Sequence, residues 1–460
     1  MKYLSRTIKI VLFLAGAVLI YMGLDFALSD DTGSQTRISF HDFYEEDEVD
    51  TLFLGSSHSV YSINAEKLTE DTGKSVFNLA TSGQNCIGGY YVIRDAIAHQ
   101  NIQHIYYEVS IYKLTEEESH ETGTYIISDY LDSLSSRVEL LNAAFGSDKL
   151  INSYLRLRRN FNPSNFSALS KVGQVIKEKC SADYTDYVAD EDYLGRGQWT
   201  YDKSLAYEGT ISINTNSKTF DKFDVEDVQE EEWDYLVKII DLCQENDIDL
   251  TFYITPYSEY YLKSFEGYDA VTQLVYDLAE ERNIDLLDFN CVKNEYLQFS
   301  LTDYADMDHL RSEQSGKVAD FLELYMQDPD GDYFYDNWRE KYAEDDTVDG
   351  LSYARYFVTK KGEFKKADSA KGTIRNERIE LSALSDQDIP AEARVWKLVQ
   401  NVETGEWVQA EVVDTVQLDA YTSEIEIPYE EKSKTVYQVQ LIDPDTGTVL
   451  YDALTKFNMI

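Results

Sequence analysis

The sequence predicts an α/β protein: a three-layer α/β/α domain with a parallel sheet, followed by a smaller β-sandwich-like domain. Between residues 48 and 326, short apolar runs alternate with segments of helical periodicity. Strands that alternate with helices pair in parallel and are covered by helices on both faces. From residue 353 onward, strand–turn–strand patterns replace the helical periodicity, which indicates antiparallel pairing. A chain of 460 residues is long enough for more than one domain.

The first element is an apolar stretch, Ile10–Leu24, which follows three basic residues and whose continuation is interrupted by Asp25. A membrane-spanning helix needs about 20 apolar residues, whereas the core of a signal peptide needs about 7–15. We favour the interpretation that residues 1–28 form a cytoplasmic stub and an uncleaved signal anchor. Basic residues before the span place the bulk of the chain outside the cell membrane. Cleavage at residues 27–29 is the alternative, and it would give a secreted protein.

Residues 29–47 are polar and lack helical periodicity, so we expect a linker that leads away from the membrane. The α/β pattern then supplies five strand candidates: Val49–Leu54, Val76–Ala80, Ile102–Ser110, Leu250–Thr255 and Ile284–Phe289. Apolar residues at helical spacing predict helices over Tyr90–His99, Trp233–Ile240, Tyr268–Glu281 and Val318–Tyr325.

An insertion, residues 115–230, interrupts this alternation of strands and helices. Helical pieces are predicted over Tyr130–Ala144 and Lys149–Arg159, with polar loops around them. An insertion between core strands forms a lid or substrate wall, or it is a packed helical cap, and the sequence leaves both open.

A second linker is predicted over residues 327–352, which are dense in Asp, Glu, Tyr and Trp. The accessory domain, residues 353–460, contains two predicted hairpins with turns at 401–405 and 443–447. Repeated hairpins of this kind indicate a small β-sandwich. Such a module binds glycans or partners, or it acts as a spacer.

Charge and cysteine content exclude several classes of function. The formal net charge of −44 argues against nucleic-acid binding, because a phosphate backbone would be repelled. The basic cluster Arg156–Arg159 is either a patch for an anionic polymer or one solvated helix face. The four cysteines, Cys86, Cys180, Cys243 and Cys291, are not at metal-ligand spacing. We therefore expect no metal site and no cofactor.

The motifs that carry chemistry stand near the two ends of the α/β domain. Ser57 follows Gly55 at the end of the first strand candidate, where strand-to-helix turns expose nucleophiles. Asp306 precedes His309 by three residues. A serine attacks a carbonyl only when a base takes its proton, and that base needs a carboxylate to orient it. We therefore expect Ser57 as the nucleophile, His309 as the base and Asp306 as the residue that orients it.

Two neighbours of these residues are rivals. Asp308 competes with Asp306, but its adjacency to His309 predicts poor geometry for the imidazole Nδ1. His58 follows Ser57 directly, and we expect it to be a helix-start or pocket residue rather than the base.

The two blocks resemble those of the SGNH/GDSL family of esterases and acyltransferases, over roughly residues 48–326. In that family the first block reads Gly-Asp-Ser and the last reads Asp-x-x-His. Here Ser56 stands in place of the Asp, so that Ser57 matches the nucleophile. The form with two serines resembles a membrane-anchored branch that modifies cell-surface polymers. That branch includes the D-alanyl-lipoteichoic acid transfer protein and alginate O-acetylation proteins.

The resemblance also implies an oxyanion hole built from a glycine amide of a second block and an asparagine side chain of a third. Gly83 is the best match for the glycine. The third block here ends at residues 107–110 without a Gly-x-Asn-Asp sequence, so we expect Ser110 or Asn85 to replace the asparagine. The Ser57 amide is a further candidate donor, because it opens a predicted helix.

Two classes of function remain. The first is an extracytoplasmic O-acyltransferase or esterase that acts on cell-surface polysaccharide or a teichoic-type polymer. The second is a non-catalytic surface protein that binds glycans through aromatic-rich faces on an SGNH scaffold. The 36 tyrosines favour either class, since sugars stack on aromatic rings. In the families that it resembles, the acyl group crosses the membrane through a multi-pass membrane-bound O-acyltransferase. We therefore expect such a partner beside the glycopolymer.

Overall fold

The computed structural model describes the chain over residues 2–116, 120–145, 166–201, 211–212, 224–258, 261–262, 267–299, 303–305, 308–343, 353–359, 377–384, 391–400, 407–418, 422–427, 436–442, 447 and 449–456. The strands in this part of the chain are β1 Thr51–Leu54, β2 Val76–Asn78, β3 His104–Glu108, β4 Tyr193–Gly195, β5 Gln198–Trp199, β6 Ile211–Ser212, β7 Asp249–Ile254, β8 Asp285–Asp288, β9 Tyr353–Thr359, β10 Glu377–Leu384, β11 Ala391–Gln400, β12 Trp407–Leu418, β13 Thr422–Ile427, β14 Val436–Ile442 and β15 Val449–Lys456.

The helices in the same ranges are α1 Lys2–Leu28, α2 Gln35–Glu45, α3 Ser57–Ser62, α4 Ala65–Thr72, α5 Cys86–His99, α6 Ile111–Thr115, α7 His120–Ser128, α8 Leu134–Phe145, α9 Phe166–Lys179, α10 Ala182–Thr185, α11 Glu230–Glu245, α12 Tyr268–Arg282, α13 Ser315–Gln327 and α14 Trp338–Ala343. Short 3₁₀ helices cover Val225–Asp227, Phe289–Cys291 and Ser312–Gln314.

A five-stranded parallel sheet forms the centre of the α/β part, in the order β2-β1-β3-β7-β8. Strand β1 pairs in parallel with β2 and with β3. Its residues are buried throughout, which is typical of a parallel sheet covered by helices on both faces. Each of the five predicted strands and four predicted helices is present, with bounds that differ by a few residues. The predicted three-layer α/β/α class is confirmed.

The chain divides into two compact units. The first comprises Met1–Thr200 and Val228–Thr251, and the second comprises Tyr201–Asp227 and Phe252–Ile460. In the first unit, helix α5 packs on helix α11, where the ring of Tyr235 contacts those of Tyr90 and Tyr91.

The predicted linker, residues 29–47, contains a helix. Helix α2 begins after Ser34, whose side chain accepts a hydrogen bond from the Arg37 backbone N–H. Phe40 and Phe43 are fully buried, and the Arg37 guanidinium lies over the ring of Tyr184 at 3.7 Å. Polar residues occupy part of the buried face of this helix, which hides its apolar periodicity in the sequence.

The insertion contains helices, as predicted, but not with the predicted bounds. The predicted helix Tyr130–Ala144 is shorter in the structure, because α7 ends at Ser128 and α8 begins at Leu134. The buried carboxylate of Asp95 accepts hydrogen bonds from the backbone N–H groups of Asp132 and Ser133 and so stabilises the turn between the two helices. The predicted helix over residues 149–159, with its basic cluster 156–159, lies outside the described residues.

The C-terminal part of the second unit is built from antiparallel strands, as expected for the accessory domain. One sheet has the order β13-β10-β9, and another has the order β12-β11-β14-β15-β6, with β6 from the insertion parallel to β15. Strands β11 and β12 pair antiparallel, as do β14 and β15, which confirms both predicted hairpins. Helix α14 lies within the segment that we expected to be a second linker, with Trp338 and Lys341 buried.

Helix α1 contains the predicted membrane segment. Its residues Arg6–Leu28 have a mean hydropathy of 2.2 over the most apolar window, and most of its large apolar side chains are exposed. The helix is long and apolar enough to span a bilayer. A signal sequence has the same properties, so the structure is consistent with either form of the N-terminus.

Candidate active site

Ser57 is the first residue of α3, three residues after Leu54, the last residue of β1. Gly55 makes the turn between them with φ 152°. Ser57 is half-buried, whereas Ser56 and His58 on either side are buried. The turn therefore presents this serine, rather than its neighbours, toward the surface of the first unit.

Ser56 is held by Glu108, the last residue of β3. The Ser56 backbone N–H donates to Glu108 Oε2 at 2.6 Å, and the Ser56 hydroxyl donates to Glu108 Oε1 at 2.9 Å. The Ser56 hydroxyl oxygen also accepts from the His58 N–H at 3.3 Å as the N-cap of α3. With its hydroxyl used in this way and only 3% of its surface exposed, Ser56 is a structural residue.

His58 is buried beside the same carboxylate. Its Nδ1 lies 3.1 Å from Ser56 Oγ and 3.4 Å from Glu108 Oε1. The side chain is 9% exposed. This agrees with the prediction that His58 is a residue of the helix start, and the carboxylate fixes the orientation of its ring.

Gly83 lies in a turn after β2 with φ 72°, a conformation that favours glycine. Helix α7 of the insertion approaches this turn closely. A Cβ on Gly123 would lie 2.1 Å from the Gly83 carbonyl oxygen. The insertion therefore packs directly against the predicted oxyanion block, and glycine at both positions permits the approach.

Asn85 caps helix α5 and is itself held by a buried carboxylate. Its Oδ1 accepts from the Gly88 N–H at 2.9 Å, and its Nδ2 donates to Glu232 Oε1 at 2.8 Å. Glu232 Oε2 accepts from the Cys86 N–H at 2.7 Å. Burial and the neighbouring Glu232 raise the pKa of the Cys86 thiol well above its usual range, which disfavours the reactive thiolate form.

Ser110 follows β3 and precedes helix α6. It is 7% exposed, and it makes no side-chain cap for that helix. In the described part of the chain, its buried hydroxyl has no hydrogen-bond partner. An uncompensated buried hydroxyl is costly.

His309 belongs to the second unit and lies on a tight loop. The Ala305 N–H donates to the His309 carbonyl at 2.8 Å, next to an antiparallel bridge between Tyr304 and Leu310. The ring of Tyr201 lies 5.2 Å from the imidazole, centroid to centroid. The His309 side chain is 17% exposed.

The His309 Nδ1 lies 3.2 Å from Asp308 Oδ1. Asp308, for which adjacency to His309 predicts poor geometry, therefore lies within ion-pair distance of the imidazole. Asp306, the predicted orienting residue, lies outside the described residues.

The candidate residues of the first unit follow successive strands. Ser57 follows β1, Gly83 and Asn85 follow β2, and Ser110 follows β3. The carboxyl ends of parallel strands lie at one edge of a sheet, which is where α/β proteins bind ligands. The roles of these residues in catalysis, and of His309 as the base, are part of the proposal below.

Sequence reasoning missed two buried carboxylates, Glu108 and Glu232, which hold the Ser57 turn and the Asn85 turn. A signal for the first was present, since Glu108 ends a strand of otherwise apolar and aromatic residues. A charged residue in such a strand is buried only when it is paired or hydrogen-bonded. Glu232 lies in a run of three glutamates, where nothing singles it out.

Comparisons with known proteins give no family assignment. No family model matches the chain, and no curated protein matches it. Among solved structures, the chain is similar to a candidate acylhydrolase from Bacteroides fragilis, with 8% sequence identity and a TM-score of 0.30, over 63% of this chain and 94% of that one. A β-glucosidase from Listeria innocua follows with 10% identity and a TM-score of 0.13, over 89% of this chain and 71% of that one. These scores are too low to support an argument about activity.

Proposed function

We propose that this protein is a serine-dependent acyl-ester hydrolase or O-acyltransferase with Ser57 as its nucleophile. The observation that carries the proposal is the turn after β1. It leaves Ser57 half-buried at the end of a central strand, while Ser56 and His58 are buried and bound to Glu108. A serine in a sharp strand-to-helix turn is the arrangement from which α/β enzymes attack esters.

In the proposed reaction, His309 takes the proton of the Ser57 hydroxyl as its oxygen attacks the ester carbonyl. The tetrahedral intermediate collapses, the alcohol leaves with that proton, and the acyl group remains on Ser57. Water or an acceptor hydroxyl then loses its proton to His309 and attacks the acyl-enzyme. The second tetrahedral intermediate collapses, the bond to Ser57 breaks, His309 returns its proton to the Ser57 oxygen, and an acid or a new ester leaves.

The oxyanion of each intermediate needs donors aimed at it. We propose the backbone N–H groups of Ser57 and Gly83, together with either the Ser110 hydroxyl or the Asn85 amide. The otherwise uncompensated Ser110 hydroxyl favours Ser110 over Asn85, whose amide already donates to Glu232.

We propose Asp306 as the residue that orients His309. The observed contact of Asp308 with Nδ1 makes Asp308 its rival. However, the Asp308 side chain is 27% exposed, and solvent weakens an ion pair at such a site.

The test is covalent labelling of the full-length protein in detergent with a fluorophosphonate, followed by peptide mapping by mass spectrometry. We expect one adduct, on Ser57. Ser57→Ala should abolish labelling, and Ser59→Ala, at a fully buried serine of the same helix, should keep it. An adduct on Ser56 or Ser59, or none on folded protein, would contradict the proposal and favour a glycan-binding protein without catalysis.

We further propose that the reaction takes place outside the cell on a surface glycopolymer, with α1 as the anchor and a multi-pass acyltransferase as the donor of the acyl group. Support comes from the apolar N-terminal helix and from the resemblance of the motifs. An anchor raises the effective concentration of Ser57 near its partner. Full-length protein should co-purify with the partner, and removal of α1 should lower polymer acylation in cells while small-ester hydrolysis persists.

A further inference from the structure

We propose that Glu108 is the positioning residue of the proposed nucleophile. It would act through Ser56 and His58, both of which it contacts from the end of β3. This inference rests on the proposed function of Ser57. Its basis is the hydrogen-bonded cluster of Glu108, Ser56 and His58.

The sheet register brings the carboxylate to the turn. In the parallel pairing of β1 with β3, Phe53 lies opposite Tyr106 and Leu54 opposite Tyr107. The next step along both strands places Glu108 beside Gly55. A Cβ on Gly55 would lie 2.3 Å from Glu108 Oε2, so only glycine lets the carboxylate approach the backbone of the turn.

Both carboxylate oxygens are used within this cluster. Glu108 has no exposed side-chain surface, and a buried carboxylate is costly unless it is hydrogen-bonded. Its Oε2 accepts the Ser56 N–H, and its Oε1 accepts the Ser56 hydroxyl proton and faces His58 Nδ1. The carboxylate thereby determines the direction of the peptide that precedes Ser57.

The same contacts assign a proton on His58. Because the Ser56 hydroxyl donates to Glu108, its oxygen is left to accept from its other neighbours. His58 Nδ1 faces only acceptors in this cluster, namely Ser56 Oγ and Glu108 Oε1. His58 therefore carries its proton on Nδ1, and the ring is fixed next to Ser57 in a single tautomer or as imidazolium.

A carboxylate is required for this arrangement, and an amide does not replace it. In Glu108→Gln, the amide oxygen can accept from either the Ser56 N–H or the Ser56 hydroxyl. The amide nitrogen then donates, and it faces either the protonated His58 Nδ1 or the Ser56 N–H. The variant keeps the size of the side chain but reverses one hydrogen bond of the cluster, so Ser57 should lose its orientation.

The experiment compares Glu108→Gln with Asp95→Asn in full-length protein in detergent. Asp95 is a matched control, since it is also buried in the first unit and accepts hydrogen bonds from backbone N–H groups, but it lies outside the proposed machinery. The readouts are kcat and KM for a small ester per folded molecule, the pH dependence of kcat, and the melting temperature.

We expect Glu108→Gln to lower kcat by roughly 10- to 100-fold, the size of loss that follows removal of a partner that orients a metal-binding histidine, with little change in KM and a shifted pH profile. Asp95→Asn should lower the melting temperature and keep kcat. Equal kcat in both variants would overturn the inference. If Glu108→Gln does not fold, Ser56→Ala tests the inference instead, because it removes the hydrogen bond from the Ser56 hydroxyl to Glu108. A kcat unchanged in Ser56→Ala would overturn the inference.

Failure of the inference can be separated from failure of the proposed function. Wild-type protein without an adduct on Ser57 contradicts the function itself. Wild-type protein that is labelled on Ser57, combined with an unchanged kcat in Glu108→Gln, contradicts only the role of Glu108.

Discussion

Ser57 and His309 are held by different kinds of structure. The turn of Ser57 is bound from a neighbouring strand through the buried side chain of Glu108. The loop of His309 is closed by its own backbone bonds, by an adjacent aspartate and by the ring of Tyr201. The position of the serine depends on sheet register, whereas that of the histidine depends on local loop geometry. Substitutions around Ser57 should therefore affect stability and activity together, and substitutions around His309 should affect activity more selectively.

The largest effect that sharpens this comparison is a loss of kcat, expected for substitutions beside His309. Asp306→Asn should lower kcat by roughly 10²- to 10⁴-fold, because the imidazole loses the carboxylate that orients it. Asp308→Asn should cost about 10-fold or less, since its partly exposed contact is weakened by solvent. Steady-state hydrolysis of a small ester measures both. A larger loss in Asp308→Asn would transfer the orienting role to that residue.

The next effect concerns the stability of the Ser57 turn. Gly55→Ala should destabilise the protein by about 3 kcal/mol or more, because a Cβ meets the Glu108 carboxylate and the backbone conformation becomes strained. Gly73→Ala is the matched control: it also has positive φ but nothing within 4 Å of its Cβ, so about 1–2 kcal/mol is expected. Chemical denaturation compares them, and equal losses would contradict the close packing of Glu108.

The smallest expected effect is a pH dependence of the free energy of unfolding, which arises from His104 in the sheet that carries Ser57. Burial lowers the pKa of His104 from 6.5 to about 4, so the unfolded chain takes up a proton first as the pH falls. The contribution of His104 is present above pH 6.5 and is lost as the pH falls toward 4. His104→Phe removes the titration and keeps an aromatic ring beside Tyr106.

Over that pH range, the wild type should lose up to about 3 kcal/mol more of its free energy of unfolding than His104→Phe. Denaturant titrations at pH 7, 5.5 and 4 measure the difference. Parallel losses in the two proteins would show that His104 is not protonated selectively in the unfolded chain.

Periodicity located the strands of the parallel sheet and the two C-terminal hairpins, because apolar spacing and turn residues are local signals. Periodicity did not predict helix α2, because Thr36, Arg37 and Ser39 lie on its buried face. The motif around Ser57 was visible for the same local reason. Its bond to Glu108 was not, because it joins residues 52 positions apart through a register that is fixed only when β1 and β3 pair.

The short distance between Asp308 and His309 was not visible in the sequence, for a different reason. Adjacent side chains usually point apart, but the Asp308 carboxylate lies 3.2 Å from the His309 imidazole, next to the bridge between Tyr304 and Leu310. Loop geometry of this kind depends on the closing backbone bonds and not on the residue pattern.

The central claim is that Ser57 is activated by His309 and not by His58, which is its direct neighbour in the sequence. The most direct measurement is the second-order rate of fluorophosphonate reaction at Ser57, mapped by mass spectrometry, in wild type, His309→Ala and His58→Ala. We predict a loss of about 10³-fold or more in His309→Ala and of roughly 10- to 100-fold in His58→Ala. A larger loss in His58→Ala, or a Ser57 rate that His309→Ala leaves unchanged, would contradict the account.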